Sequence, residues 1–359
     1  MADDVLFEVV RQYACLSPVN AISLPKDISN TVLQDFLVKE LLEDQHLKVY
    51  PPSQQYQRTF WKKIVAHLER TSIMPEDEEF EISSVIYDHY LGLLNPNNDS
   101  SGSSSFVGQG PPSKSFVTYF WKAPGLTSSE RFLKTTLLES RNMIESGTTG
   151  LRTWTASFVL AQYLIDHPDV IVRKNVLELG AGIGFTGIVA SAIQVLAGQD
   201  SSNPNKIWLT DVEDTVLATC RDNVDLPCNT SSTHGGVKTQ QLDWYAALDE
   251  NRRPEMVSLL HRTLDPDVII GADIVFDPSL IGSLLATLEI ALRSTRATFA
   301  LIALTRRNPE TMAKFMSSAI ERGFTVDAVE YQNQHISFLP HLALDTNLKD
   351  VKILRFVSS

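Results

Sequence analysis

The feature that most constrains the fold of this chain is a short apolar run that breaks into regularly spaced glycines. The run is Val176-Leu-Glu-Leu179, and residues 185–196 afterwards follow an apolar pattern with the period of a helix. The glycines of this stretch are Gly180, Gly182, Gly184 and Gly187. A strand, a glycine-rich turn and a helix N-terminus form the unit with which doubly wound α/β sheets bind nucleotide-like ligands. The stretch therefore predicts an α/β domain with a ligand site at the carboxyl end of a strand.

Glu178 helps to choose among the ligands that such a loop could bind. Gly182, Gly184 and Gly187 satisfy the G-x-G-x-x-G spacing of dinucleotide sites. A glutamate two residues before Gly180, however, would repel a pyrophosphate. A carboxylate there favours a ligand with positive charge, and S-adenosyl-L-methionine carries both a sulfonium and an ammonium group. We therefore predict this cofactor, and an NAD-dependent oxidoreductase is a distant alternative. The expected binding residues of the loop are Glu178, Gly180, Ala181, Gly182 and Gly184.

The composition gives little support for a nucleic-acid-binding or membrane protein. With 359 residues, 43% of them hydrophobic and 21% charged, the chain is long enough for two ordinary domains. A net charge of −12 disfavours the basic stripe that phosphates require. The cysteines at 15, 220 and 228 form no C-x-x-C pair, which favours a reducing compartment and no metal site. Neither a signal-peptide pattern nor a bilayer-spanning run of about 20 apolar residues occurs, so we expect a cytoplasmic protein.

Changes in composition and in the spacing of apolar residues predict three regions. Residues 1–94 carry apolar side chains at helical spacing and are expected to form a helical accessory or substrate-docking domain. Residues 95–115 are rich in Asn, Ser, Gly and Pro and predict a flexible linker. Residues 116–359 are expected to form the ligand-binding domain. The helical series of the first region are Val5–Val9–Tyr13, Val32–Phe36–Glu40, Phe60–Ile64–Leu68 and Ile82–Ile86–Tyr90.

Strands and helices alternate in the third region, which predicts a Rossmann-like α/β fold with a seven-stranded doubly wound sheet. A hairpin of residues 116–121 and 135–144 is expected to precede this sheet, and its last two strands are expected to pair antiparallel. The seven strands are predicted at residues 175–179, 206–210, 237–242, 268–272, 298–304, 325–331 and 351–357.

An acidic residue directly follows three of these strands. Asp211, Asp243 and Asp273 come after the second, third and fourth strands. Because the carboxyl ends of parallel strands meet at one edge of a sheet, where such folds bind ligands, we expect these acids to share a site. Asp211 lies where doubly wound folds hold ribose hydroxyls.

Several motifs, taken in order, resemble those of the seven-strand protein lysine methyltransferases often called family 16. They are Gly-Leu-Arg-Thr-Trp154, Leu-Glu-Leu-Gly-Ala-Gly-Ile-Gly184, Thr-Asp211, Leu-Asp243-Trp244 and Gly-Ala272-Asp273-Ile-Val-Phe276. The resemblance covers about residues 130–357. The helical region in front of it is similar to the subgroup that methylates eukaryotic elongation factor 2. The resemblance implies a class I methyltransferase fold and S-adenosylmethionine-dependent methylation of a lysine in that factor.

The resemblance also implies cofactor-binding roles for individual residues. Trp154 is expected to line the cofactor pocket, and Asp211 to accept from the ribose hydroxyls. Trp244 is expected to stack on adenine, and Asp243 to accept a hydrogen bond from its amino group. Ala272 is expected to present its backbone near the reacting centre.

Methyl transfer to lysine requires a neutral amine, whereas a lysine with a pKa of about 10.4 is protonated at neutral pH. Asp273 is the expected catalytic acceptor of a hydrogen bond from this amine, and Phe276 the expected aromatic wall beside it. Phe276 stands where many relatives carry Tyr, so no hydroxyl is available there. The main alternative is a methyltransferase that acts on another protein or a small molecule. An RNA substrate is disfavoured by the charge and by the lack of an Asn/Asp-Pro-Pro-aromatic motif after the fourth strand.

Overall fold

The computed structural model describes residues 2–71, 80–94, 114–123, 132–140, 142, 148–199, 203–331, 336–339, 348 and 350–358. The chain forms two compact units. The first consists of Met1–Tyr119, Leu138–Asn142 and Leu339–Ala343, and the second of Phe120–Leu137, Met143–Phe338 and Leu344–Ser359. Of the predicted linker, residues 95–113 lie outside the described part, and residues 114 and 115 begin a strand.

Helices form most of the first unit. Within its described residues they are α1 (Ala2–Ala14), α2 (Asn30–Leu37), α3 (Gln45–Val49), α4 (Gln54–Thr71) and α5 (Ser84–Leu94). Side chains at helical spacing on α1 and α4 build the core. The Tyr13 ring lies 4.6 Å from that of Phe60 and 5.8 Å from that of Tyr56, centroid to centroid. The apolar periodicity of the sequence thus corresponds to packed helices.

The structure corrects several details of the predicted helices. Val5, the first residue of the first series, is 52% exposed, and Ile82 of the fourth series lies before α5. The series Val32–Phe36–Glu40 does not form the buried face of α2, because Val32 is 49% exposed. The buried residues are their neighbours Leu33, Leu37 and Leu41. Helix α3 was not predicted, since five residues are too few to show a period. Its N-terminus is fixed by Asp44, which accepts a hydrogen bond from the Leu47 N–H at 2.8 Å.

Two short strands precede the main sheet and pair with each other. They are β1 (Lys114–Trp121) and β2 (Leu133–Ser140), close to the strands predicted at 116–121 and 135–144. Residues 143 and 144 lie outside the described part.

A seven-stranded sheet forms the centre of the second unit and confirms the predicted α/β fold. Its strands are β3 (Val176–Leu179), β4 (Ile207–Asp211), β5 (Val237–Gln241), β6 (Val268–Ala272), β7 (Ala300–Thr305), β8 (Phe324–Ala328) and β9 (Val351–Ser358). The spatial order is β5-β4-β3-β6-β7-β9-β8. Strands β3 to β7 are parallel, and β9 lies antiparallel between β7 and β8. The expected antiparallel pair of final strands is therefore confirmed.

Helices pack against this sheet, and the register of the strands brings their carboxyl ends level. Among the described residues the helices are α6 (Thr155–Asp166), α7 (Phe185–Leu196), α8 (Asp214–Val224), α9 (Arg253–Ser258), α10 (Ile281–Ser294) and α11 (Pro309–Glu321). Leu179 at the end of β3 is aligned with Thr210 of β4 and with Gly271 of β6. The residues that follow these strands consequently share one edge of the sheet. No helix in the described part of the chain has the length and apolar character needed to cross a membrane.

Candidate active site

A cavity of about 410 Å³ lies at this edge of the sheet. Its wall contains residues that directly follow β3, β4, β5 and β6, together with residues around the start of α6 and Arg307 beyond β7. The volume falls in the range of small-molecule sites, about 300–1,000 Å³. The predicted site residues that line it are Trp154, Gly180, Ala181, Gly182, Asp211, Asp243, Trp244, Ala272, Asp273 and Phe276. Glu178 and Gly184 are not among the lining residues.

The glycine-rich loop passes close to other parts of the protein. Gly180 has a φ of +62°, and a Cβ there would lie 2.7 Å from the Ile274 side chain. Gly182 has a φ of +55°, and a Cβ there would lie 3.0 Å from the Gly150 carbonyl oxygen. Both positions therefore require glycine for conformation and for space. Gly184, at the N-terminus of α7, faces the Cys220 sulfur instead of the cavity.

Glu178 lies behind the loop. Its side chain is buried, and its Oε2 atom makes no hydrogen bond to a described residue. This oxygen is 3.0 Å from the place that a Cβ of Gly187 would take, so it faces the first turn of α7. Burial raises the pKa of the carboxyl to about 8. Hydrogen bonds from the Thr186 side chain and the Gly187 backbone oppose this effect and lower the pKa. The prediction that its charge faces the ligand is therefore corrected: the carboxyl does not line the cavity, and burial favours its neutral form.

Asp211 fastens the glycine loop to the end of β4. Its Oδ2 accepts from the Gly182 N–H at 3.1 Å, and its Oδ1 from the Val212 N–H at 2.8 Å. Burial raises the pKa of Asp211, while the backbone N–H groups of Glu213, Gly182 and Val212 lower it. Glu213 also lines the cavity, and the sequence reasoning missed it. The signal available was a second acid two residues beyond the strand.

Asp243 and Trp244 form the wall beyond β5. The Oδ1 of Asp243 accepts from the Tyr245 N–H at 2.9 Å and caps the short helix Trp244–Ala247. Its Oδ2 pairs with Arg252 at 2.7 Å. Both oxygens of the predicted adenine acceptor thus already have a protein partner. The Cζ2 and Cη2 atoms of Trp244 lie 3.5 Å from the position of a Cβ at Gly180, so the edge of the indole ring stands beside the glycine loop.

Asp273 takes an unusual backbone conformation, with a φ of +53°. Its own N–H donates to the Ala303 carbonyl at 2.8 Å, which ties the turn after β6 to β7. Its Oδ1 accepts from the Thr305 N–H at 2.9 Å, and its Oδ2 from the Thr305 hydroxyl at 3.0 Å. These contacts fix the direction of the carboxylate. Only 7% of the side chain is exposed.

Arg307 connects Asp273 with Trp154. Its Nη2 donates to the Asp273 Oδ2 at 3.0 Å, and its guanidinium lies 4.7 Å from the centre of the Trp154 ring. The Trp154 Nε1–H donates to the Thr149 carbonyl at 3.0 Å, which orients the ring. Sequence reasoning missed Arg307, although a basic residue just beyond the fifth predicted strand was a usable signal. Phe276 stands near this group and is 56% exposed.

The cavity wall has the chemistry that S-adenosylmethionine needs. Its aromatic rings, Trp154 and Trp244, can face a flat base, and Asp211 supplies oxygens for hydroxyl groups. The turn that contains Gly180 and Gly182 exposes backbone without side chains. Among the described residues no group of three or more His, Cys, Asp or Glu side chains could hold a metal ion.

Comparisons with known proteins agree with this chemistry. The model of the lysine methyltransferase family matches residues 134–322. The protein-lysine N-methyltransferase EEF2KMT of Homo sapiens is 30% identical over 298 residues, covering 79% of this chain and 75% of that protein. The Bos taurus protein of the same name is 28% identical and covers 85% and 82%. The protein-lysine N-methyltransferase EFM3 of Chaetomium thermophilum is 33% identical over 53% of each chain. The chain therefore belongs to the lysine methyltransferase family and is an enzyme that uses S-adenosyl-L-methionine as its cofactor.

Proposed function

We propose that this protein-lysine methyltransferase acts on translation elongation factor 2. The observation that carries the proposal is the extent of the similarity to relatives named EEF2KMT. It covers 79% of this chain for the human protein and 85% for the bovine one, whereas the family model matches only residues 134–322. The similarity therefore reaches beyond the part that the family as a whole shares. The helical region in front of the motifs, which is similar to the subgroup that methylates elongation factor 2, supports the same substrate.

For cofactor binding we propose roles for the wall of the cavity. Asp211 accepts from the ribose hydroxyls through its Oδ2, which takes one hydrogen bond from the loop, whereas its Oδ1 takes two, from the N–H groups of Val212 and Glu213. Trp244 stacks on adenine, and Ala272 and the loop of Gly180 to Gly182 offer backbone groups. The cofactor supplies the methyl group, carried on a sulfonium. Glu178 has no part in this proposal, since it lies behind the loop.

For the substrate side we propose that Asp273 accepts a hydrogen bond from the lysine amine. The carboxylate is held in direction by the N–H and hydroxyl of Thr305, so it is preorganised for a donor. The amine has to lose its proton before it attacks, since only a free lone pair can form a bond to a methyl group. Phe276, half-exposed beside Asp273, forms an apolar wall for the stem of the lysine.

We also propose that residues 1–94 contribute to docking of the protein substrate in the cytoplasm. The similarity to the EEF2KMT relatives, which extends beyond the family model, supports a role for this region. Cross-linking of the full-length enzyme to elongation factor 2, followed by peptide mapping, should find cross-links in residues 1–94. Cross-links confined to residues 116–359 would reject the docking role.

The substrate is tested by mass spectrometry of elongation factor 2 purified from cells that lack the enzyme. Incubation with the protein and S-adenosylmethionine should add about 14 Da, or a multiple of it, to a single lysine-containing peptide. The Asp273→Asn variant should leave that peptide unchanged. If the protein binds the cofactor but modifies no lysine of the factor, another protein or a small molecule is the substrate.

A further inference from the structure

Arg307 occupies the place beside Asp273 that the proposed function assigns to the substrate amine. Its guanidinium donates to the Asp273 Oδ2 at 3.0 Å and lies 4.7 Å from the centre of the Trp154 ring. A lysine ammonium would make the same kinds of contact, an ion pair with a carboxylate and a cation–π contact with an aromatic ring. The site is therefore already built for a cation, and a side chain of the protein fills it.

Of the described residues that donate hydrogen bonds to the Asp273 carboxylate, Arg307 is more exposed than Thr305. The Thr305 N–H belongs to β7, and the Thr305 hydroxyl is attached to the same strand. The Arg307 side chain, in contrast, is 47% exposed, while that of Asp273 is 7% exposed. A half-exposed cation thus covers an almost buried carboxylate that Thr305 also holds through two hydrogen bonds.

Space lies next to the guanidinium. A second cavity of about 60 Å³ shares Asp273, Phe276 and Arg307 with the larger one. Its other lining residues are Val275, Leu304, Thr305, Asn308, Thr311 and Met312. Arg307 thus lines both cavities, which leaves space beside its guanidinium.

We propose that Arg307 is a displaceable stand-in for the substrate lysine, an inference that rests on the proposed lysine methyltransferase site. Without substrate, the guanidinium keeps Asp273 paired. When substrate binds, the lysine side chain takes its place on Asp273 and beside Trp154. Leaving a nearly buried carboxylate unpaired is costly, so only another polar donor with positive charge can replace Arg307 at low cost. Arg307 thereby contributes to the selection of a cationic acceptor residue.

The first test measures equilibrium binding of unmethylated elongation factor 2 to the full-length enzyme without cofactor. Arg307→Ala removes the competitor, so the Kd for the factor should fall about three- to ten-fold, and its KM should fall in parallel. The Kd for S-adenosylmethionine, measured in parallel, separates an effect on the protein substrate from an effect on the cofactor. In the Asp273→Asn background the same substitution should bring no gain, because no carboxylate is left to compete for.

Arg306→Ala is the matched control for charge. Arg306 lies in the same loop and is 55% exposed, but it pairs with Asp350 and does not line either cavity. Its removal should change the Kd by less than two-fold. Equal gains from the two substitutions, or an Arg307→Ala variant that binds the factor no better than the natural enzyme, would overturn the proposal.

A second test needs no external substrate. In the Arg307→Lys variant the introduced amine replaces the guanidinium beside Asp273. Its nitrogen lone pair forms a bond to the methyl carbon of S-adenosylmethionine, the carbon–sulfur bond breaks with its electrons on sulfur, and the amine proton passes to solvent. A gain of about 14 Da at position 307, absent when Asp273→Asn is added, is the expected result. If the natural enzyme neither binds nor methylates elongation factor 2, only the substrate proposal fails. The Arg307→Lys variant then tests the role of Arg307 by itself, and the absence of a mass gain at position 307 would overturn the stand-in role.

Discussion

The buried carboxyl of Glu178 should make the stability of the protein depend on pH in a defined way. Its pKa is about 8 in the folded state, mainly because of burial, against an ordinary value of 4.5. Between these values the folded protein keeps a proton that the unfolded chain has lost. Stability is therefore complete below pH 4.5 and falls as the pH rises toward 8, by about 1.4 kcal/mol per pH unit. At pH 7.5 the loss is on the order of 4 kcal/mol.

A competing effect has the opposite sign. The carboxyl faces the first turn of α7, and a helix N-terminus stabilises negative charge by about 0.3–2 kcal/mol. The free-energy cost of ionising a buried carboxyl exceeds this stabilisation by the helix. An Oε2 atom without a hydrogen bond adds to that cost. We therefore expect the proton to stay on Glu178 at neutral pH.

The Glu178→Gln variant isolates this effect, because glutamine resembles the protonated carboxyl and does not titrate. Unfolding in urea should give similar free energies for both proteins at pH 5, and a variant that is more stable by a few kcal/mol at pH 8. All other titrating groups are common to the two proteins and cancel in the difference. Glu250→Gln makes the same change at an exposed position and is the control for the loss of a glutamate side chain. A difference between Glu178→Gln and the natural protein that stays constant from pH 5 to pH 8 would refute the reasoning.

Three further substitutions probe the cavity wall. Asp211→Asn should weaken S-adenosylmethionine binding about ten-fold or more in calorimetry, since charge-assisted hydrogen bonds to the ribose are lost; unchanged affinity would remove Asp211 from the ribose site. Asp273→Asn should lower kcat about 100-fold or more and leave cofactor affinity within a few-fold, whereas equal losses of both would contradict a substrate-side role. Gly180→Ala should lower the free energy of unfolding by about 1–3 kcal/mol, because its φ is +62° and the new Cβ would lie 2.7 Å from Ile274; a thermal midpoint equal to that of the natural protein would argue against this strain.

The centre of the sheet could be predicted from the sequence because its central strands are buried. Strands such as β6, Val268–Ala272, are covered on both faces, so they appear as uninterrupted apolar runs bounded by polar turns. The position of the site followed from the same geometry, since parallel strands bring the residues after their carboxyl ends to one edge. Strand topology thus sufficed to place Asp211 and Asp273 on one cavity.

The direction of a side chain on a fully buried strand could not be predicted. Leu177 and Leu179 belong to a hydrophobic cluster on one face of the sheet, so alternation along β3 turns Glu178 to the other face, toward α7. In a strand without polar residues on either side, no pattern shows which face lies nearer the ligand. The position of Arg307 was equally hidden, because it depends on the approach of the loop after β7 to Trp154, which is distant in sequence.

Each acid at a strand end both fixes a loop and is expected to contact the ligand. The choice of substitution therefore decides whether an experiment can separate these two roles. Asp211 accepts from the Gly182 N–H, Asp243 from the Tyr245 N–H and Asp273 from the Thr305 N–H, so each fixes a loop of the cavity wall. Replacement by alanine would remove the acceptor together with the charge, and a loosened loop would weaken ligand binding indirectly. Asparagine keeps one acceptor oxygen for a backbone N–H, removes the charge and turns the second acceptor oxygen into an N–H donor. If an Asn variant of normal stability still loses affinity or turnover, the loss therefore reports on the contact between the carboxylate and the ligand. At Asp273 that contact includes the exchange of Arg307 for the substrate lysine.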